Sequence, residues 1–222
     1  MGAYIFSYSR NHIFLFKITI IVVIIRTTSM KSKVIALFNQ IAPISVELSN
    51  EILTTLKPLQ LSQGSFFIQP NEVCDKICFL ENGMLVSYHY NEKGNEICNW
   101  LMKNGDIVIS VYSFFSQNPA EEYIKAIENC TLWYITFAEL ERLYQKYPEF
   151  NYIGRKLTEY YYVKNEQRAL FLRKYSTEQR VAHFLNSESE FNIRLNGEQI
   201  ASYLGMSTEE FYRKRSKILR KT

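Results

Sequence analysis

Three glycines, Gly83, Gly94 and Gly105, recur eleven residues apart in the middle of the chain, and that spacing leaves few folds open. Each has turn-forming neighbours: Asn82-Gly83, Lys93-Gly94-Asn95 and Asn104-Gly105-Asp106. Glycine enters the left-handed backbone region without steric cost, so such sequences close tight hairpins. The segments around them, Ser65–Ile68, Lys76–Leu80, Met84–Tyr90 and Glu96–Leu101, are rich in β-branched and aromatic residues with partial alternation. The strand signal continues to about residue 136. No helical pattern lies between these strands, and parallel pairing would need such crossovers. An antiparallel β-barrel or jelly roll is predicted.

Helical periodicity flanks this region. Val34, Leu37, Phe38 and Ile41, then Leu48, Ile52, Leu53 and Leu56, recur at helical spacing, with Pro58 and Gly64 closing the stretch. Phe137 starts another helix, and Pro148 opens a long one to about Lys174. Along it Ile153, Leu157, Tyr160 and Phe171 fit a heptad seam with Lys164 and Gln167 in its middle. That seam is either a dimer contact with a polar centre or a face packed on the barrel. A further helix, Thr177–Asn186, turns Val181, Phe184 and Leu185 inward. The fold class is α+β.

The end of the chain has a separate pattern. Ile200, Ala201 and Leu204 share one face of a short helix, and Gly205 ends it. Ser207 opens the next helix, with Glu210 three residues on in a Ser-x-x-Glu capping box. Two helices joined by a short glycine turn describe a helix-turn-helix, whose second helix would enter a DNA major groove; the alternative is an ordinary helical hairpin with a solvated basic end. Phe211 and Ile218 are expected inward, flanked by the stems of Lys214 or Arg215. Thr208, Glu209, Tyr212, Arg213 and Ser216 share the outward face. Arg213 suits a bidentate grip on guanine and Glu209 a cytosine amino group. Lys214, Lys217 and Arg220 lie where phosphates would pass, and Ser207 stands at the helix entry.

Composition sharpens this only through its distribution. A net charge of +4 over 222 residues is weak evidence for a polyanionic partner, but Arg213, Lys214, Arg215, Lys217, Arg220 and Lys221 crowd the end of the chain. Cys74, Cys78, Cys98 and Cys130 lie in apolar or strand-like surroundings with no zinc-site spacing, and the three histidines are isolated. A reduced, cytoplasmic protein with buried thiols and neither metal nor cofactor is expected. No Ser-His-Asp set, glycine-rich phosphate loop or paired-carboxylate motif marks an enzyme. Residues 13–25 are almost wholly apolar, broken by Lys17 and ended by Arg26. The run is shorter than the about 20 residues of a membrane span. It has the length of a signal-peptide core, without a small-residue cleavage site after it. We favour Met30 as the true start, with a membrane anchor as the alternative.

A helical lead-in, a glycine-turned jelly roll, one long helix and a terminal helix-turn-helix resemble the Crp/Fnr superfamily of bacterial transcription regulators. The resemblance runs from about Val34 to the end. Its most specific pieces are Phe79-Leu80-Glu81-Asn82-Gly83…Gly94…Gly105-Asp106 and Gln199–Ser207. It implies a sensor barrel over residues 30–147, a connecting and dimer helix over 148–174 and a DNA-binding domain over 175–222. A homodimer on a roughly palindromic double-stranded operator is implied, with RNA polymerase a partner if the protein activates and the small-molecule effector unspecified. The nucleotide-binding members hold ribose with a Gly-Glu pair and the cyclic phosphate with Arg-Ser or Arg-Thr. Carrying that spacing onto this chain gives Ile109-Ser110 and Ala120-Glu121. A buried phosphate lacks its arginine there and meets Glu121 and Glu122, so cyclic nucleotides are not expected to bind. Asp106, Ser110, Tyr112, Ser113, Glu121, Glu122 and Tyr123 either line a pocket for another ligand or belong to a cassette packed shut. The alternative to a DNA-binding regulator is a ligand-binding or protein-interaction module whose C-terminal helices serve assembly.

Overall fold

The computed structural model describes residues 30–220; the reading of residues 1–29 lies outside the described residues. Helices α1 (Met30–Ile41) and α2 (Val46–Thr55) lead in. Ser45 caps α2, accepting from the Leu48 N–H at 3.2 Å and donating to Glu149 at 2.8 Å. The strands β1 (Lys57–Leu61), β2 (Phe66–Ile68), β3 (Lys76–Asn82), β4 (Met84–Tyr90), β5 (Glu96–Lys103), β6 (Ile107–Val108), β7 (Tyr123–Ala126) and β8 (Cys130–Thr136) follow. They form two antiparallel sheets, ordered β1-β8-β3-β6 and β2-β7-β4-β5. Leu80, Leu85, Val108, Ile124 and Leu132 fill the space between them. Gly83 has φ +117°, and a Cβ there would lie 2.5 Å from Cys130 Sγ. Its turn therefore needs glycine both for conformation and for space.

Two local readings are corrected. Pro58 does not end the helical stretch but lies within β1, opposite Trp133. Among the described strands β1 pairs only with β8, and an edge strand tolerates a residue without an N–H. Val111–Ser116, inside the supposed strand region, is a short helix, α3. Phe114 is fully buried there, and the Ser113 hydroxyl accepts from the Cys74 N–H at 2.9 Å and donates to the Asn118 carbonyl at 2.6 Å. Tertiary packing overrides the β preference of Val-Tyr-Ser-Phe-Phe.

After β8 come α4 (Phe137–Lys146), α5 (Pro148–Lys174), α6 (Thr177–Ser187), α7 (Ser189–Arg194), α8 (Gly197–Tyr203) and α9 (Thr208–Leu219). No pattern in the residues had marked α7. Complete capping boxes open α4 (Thr136 with Glu139), α6 (Ser176 with Gln179) and α8 (Asn196 with Gln199). The heptad seam of α5 turns towards its own chain. Ile153 is buried, Lys164 lies 4.0 Å from Asp106, and Phe171 packs against the core of the terminal helices. Tyr162, Val163 and Leu170 are left exposed.

The β4–β5 pair is buried on both faces. Leu85 and Met102 join the barrel core, whereas Met84, Val86, Tyr88, Cys98 and Leu101 share a second core with Val181, Phe184, Ile200, Leu204 and Phe211. Ser87 pairs with Trp100 but Tyr88 pairs with Cys98, so Asn99 is the extra residue of a β-bulge. The free edge of β5 is covered by α8. Ser202 Oγ accepts from the Cys98 N–H and donates to the Glu96 carbonyl, both at 2.8 Å. An open strand edge is thereby satisfied by a side chain of the terminal unit.

Candidate nucleic-acid interface and internal cavity

Helix α8, the turn and α9 form a helix-turn-helix. Gly205 has φ +65°, and a Cβ there would meet Arg180 Nη1 at 3.0 Å. Arg180 is buried, and its Nη1 donates to the Leu204 carbonyl at 2.5 Å, placing a cation at the C-terminus of α8. Sequence reasoning missed this arginine, whose partner lies 24 residues away. Ser207 Oγ accepts from the Glu210 N–H at 3.2 Å. The expected capping box is only half made, because the Glu210 carboxylate accepts from Thr177 Oγ1 at 2.7 Å instead. Phe211, fully buried, anchors α9 in the core.

On the other side of α9, Glu209, Tyr212, Arg213 and Ser216 are exposed, and Thr208 is half-buried. Arg213 forms no ion pair among the described residues. Tyr212 leans over the start of α8, where a side chain on Gly197 would overlap its hydroxyl. Ser207 and Arg220 are exposed at the two ends. Lys217 and the half-buried Lys214 lie 3.0 and 3.7 Å from Glu178 on α6, so both lysines are held close to a carboxylate.

A cavity of about 490 Å³ lies between the barrel and α5. Of the predicted pocket residues, Tyr112 and Glu122 line it. The other five do not line this cavity. Asp106 closes its turn by accepting from the Lys103 N–H at 3.0 Å, and burial holds its carboxyl above the usual range despite the nearby Lys164. Ser110 is buried where α3 begins, and Ser113 is committed to its two backbone partners. Glu121 is exposed. Tyr123 lies on the far face of the sheet, stacked on Tyr88 with ring centroids 5.1 Å apart. Ser87, Asn99 and Trp100 line the cavity unforeseen. The bulge turns both Asn99 and Trp100 inward, which strict alternation would forbid. Among the described residues no group of three His, Cys, Asp or Glu could hold a metal ion, and no helix is long and apolar enough to cross a membrane.

The sequence model described as "Cyclic nucleotide-binding domain" matches residues 58–147, nearly the whole barrel. The anaerobic regulatory protein of Haemophilus influenzae is 25% identical over 175 residues, 74% of this chain and 66% of that protein. Regulatory protein HlyX of Actinobacillus pleuropneumoniae is likewise 25% identical, over 74% of this chain and 71% of its own. The chain spans about two thirds of the length of these curated relatives. Among solved structures, FixK2 from Bradyrhizobium japonicum superposes with TM-score 0.62 at 18% identity, covering 75% of this chain and 85% of that one. A Crp/Fnr-family regulator from Eubacterium rectale does so with TM-score 0.61 at 16% identity, covering 80% and 85%. In sequence and in fold this chain is similar to regulators of the Crp/Fnr superfamily.

The cavity departs from the pattern expected of nucleotide-binding relatives. Ile109 lines the wall and Ser110 is buried, where a Gly-Glu pair would be sought. Ala120 is 3% exposed, its backbone N–H donating to the Glu72 carbonyl at 2.8 Å. No cation stands at either position, and no Lys, Arg or His lines the cavity.

Proposed function

We propose that this Crp/Fnr-like chain is a DNA-binding transcription regulator. Residues 175–222 read duplex DNA through α9, residues 30–147 form the sensing barrel, and residues 148–174 join two copies. The observation that carries this reading is the exposed face of α9, with Arg213 in no ion pair among the described residues, on a helix fixed by Phe211. Arg213 reads a base edge, assisted by Glu209, Tyr212, Ser216 and Thr208. Ser207, Lys214, Lys217 and Arg220 meet phosphates, the lysines exchanging Glu178 for the DNA backbone. The dimer forms through the uncovered side of α5, where Val163 and Leu170 lie seven residues apart. Two copies related by a two-fold axis call for a roughly palindromic operator. RNA polymerase is a further partner if the protein activates. Duplexes selected from random DNA provide the test, in mobility-shift titrations between about 50 and 200 mM salt. Selection of an inverted repeat, with affinity falling steeply as salt rises, is expected. Failure to enrich any sequence overturns the reading.

A further inference from the structure

The cavity has a polarity that selects its occupant. Of the side chains lining it, Glu122 alone is an Asp, Glu, Lys, Arg or His. Trp100, Trp133, Phe38 and Phe79 supply aromatic wall. Its volume of about 490 Å³ falls inside the range of about 300–1,000 Å³ usual for small-molecule sites. Val111, Tyr112, Phe115 and Tyr162 also line it and are each more than half exposed, which places its mouth between α3 and α5.

Glu122 ends a chain of hydrogen bonds. His89 Nδ1 lies 2.9 Å from Asn99 Oδ1, and Asn99 Nδ2 donates to Ser87 Oγ at 3.5 Å. Ser87 in turn donates to Glu122 Oε2. With the Asn99 oxygen turned to His89, every donor points towards the carboxylate. Glu122 Oε1 has no hydrogen-bond partner among the described residues. A carboxylate against an apolar wall is costly until it gains a cation or a strong donor. The two lysines that reach the rings of this wall are engaged elsewhere. Lys31 lies over Trp133 but donates to the Leu53 carbonyl at 2.5 Å, and Lys164 lies over Tyr161 but 4.0 Å from Asp106.

We propose that the cavity binds a small organic cation, an amine on an apolar body, with its ammonium at Glu122 and its body against Trp100 and Trp133. An ammonium gains a charge-assisted hydrogen bond to the carboxylate and attraction to the aromatic faces. A carboxylate or phosphate head meets repulsion from Glu122 and finds no Lys, Arg or His in the wall. The proposal rests on the sensing-barrel reading for its regulatory meaning. Binding is measured without DNA, so its failure is distinguishable from a failure of that reading.

Trp100 and Trp133 are the chain's two tryptophans, and both line the cavity, so intrinsic fluorescence reports occupancy. The probes are 4-phenylbutylamine, 4-phenylbutanol and 4-phenylbutyrate, which share one skeleton and differ at the head. On the full chain the amine should bind at least about tenfold more tightly than the carboxylate, with the alcohol between them. Glu122→Gln should bring the amine to within about threefold of the alcohol. A carboxylate that binds as tightly as the amine overturns the proposal. So does an amine preference that survives Glu122→Gln, or no fluorescence response to any probe. If the Glu122→Gln chain does not fold, the ratio measured on the unaltered protein decides alone.

Discussion

The inner and outer faces of one sheet support opposite kinds of surface. Inside β4–β5, the cavity lining carries a single carboxylate, that of Glu122. Outside, the same strands support the terminal helices, which end in the basic run of α9. The net charge of +4 describes neither surface. Placement decides what each is expected to attract: the proposed cavity site disfavours anions and the proposed reading helix α9 favours them. Two kinds of contact join the surfaces. Asn99 lines the cavity while its carbonyl accepts from Arg168 Nε at 3.4 Å, and Arg168 also donates to the Tyr203 carbonyl on α8. Ser202 completes the link at the edge of β5.

The largest effects should come from dismantling the anion-seeking side. Arg213→Ala should cost about 1–3 kcal/mol of operator affinity and relax preference at one base position. Lys217→Ala should weaken all duplexes alike and flatten the salt dependence. Its effect is the smaller because Glu178 already neutralises part of that charge. Fragment selection with each variant separates the two outcomes. A uniform loss from both substitutions would remove the reading face from α9.

Arg180→Met tests what holds that face in place. The substitution keeps the apolar stem and removes the donor to the Leu204 carbonyl. A hydrogen bond from a charged group contributes about 1.5–3 kcal/mol. Arg180 Nε is buried without a partner, so its removal offsets part of the loss. Urea denaturation should therefore show a destabilisation of about 1.5 kcal/mol, at the low end of that range. A neutral result would reduce Arg180 to packing.

Ser202→Ala acts at the join and should do less, about 1 kcal/mol, because two backbone partners lose one shared hydroxyl. Its signature is local: the Cys98 amide should exchange its hydrogen faster while amides deep in the barrel stay protected. Unchanged exchange at Cys98 would mean that apolar packing alone seats α8 on the sheet.

Much of this arrangement was legible in the residues. Gly83 and Gly205 mark turns because their conformations exclude side chains, and the spacing of Phe211 and Ile218 sets which side of α9 turns inward. Other features depend on pairs of distant segments. The bulge at Asn99 is a property of β4 and β5 together, and no pattern within Glu96–Lys103 reveals that Asn99 and Trp100 share a face. The heptad positions of α5 are apolar for the barrel as much as for a second helix, so periodicity alone could not tell which they meet. Glu122 read as an anion that would repel phosphate; its neighbours Ser87 and Asn99 come from strands at least 23 residues earlier.

The smallest expected effect is no effect, and it is the sharpest test of the cavity side. Cyclic AMP and cyclic GMP should neither bind nor alter operator affinity. The barrel matches the cyclic nucleotide-binding domain, so fold alone would predict the opposite. A phosphate held in such a cavity loses its hydration and needs a cation or several donors in return. The walls offer neither arginine nor lysine, their one carboxylate repels a phosphate, and Ser87 and Asn99 beside it already donate along the chain to Glu122. Calorimetry on the full chain should therefore show no heat of binding at millimolar nucleotide, and a mobility shift run with and without it should be unchanged. Micromolar binding of either nucleotide would show that α5 or a second copy brings a cation to the site, and the contrast between the two surfaces would collapse.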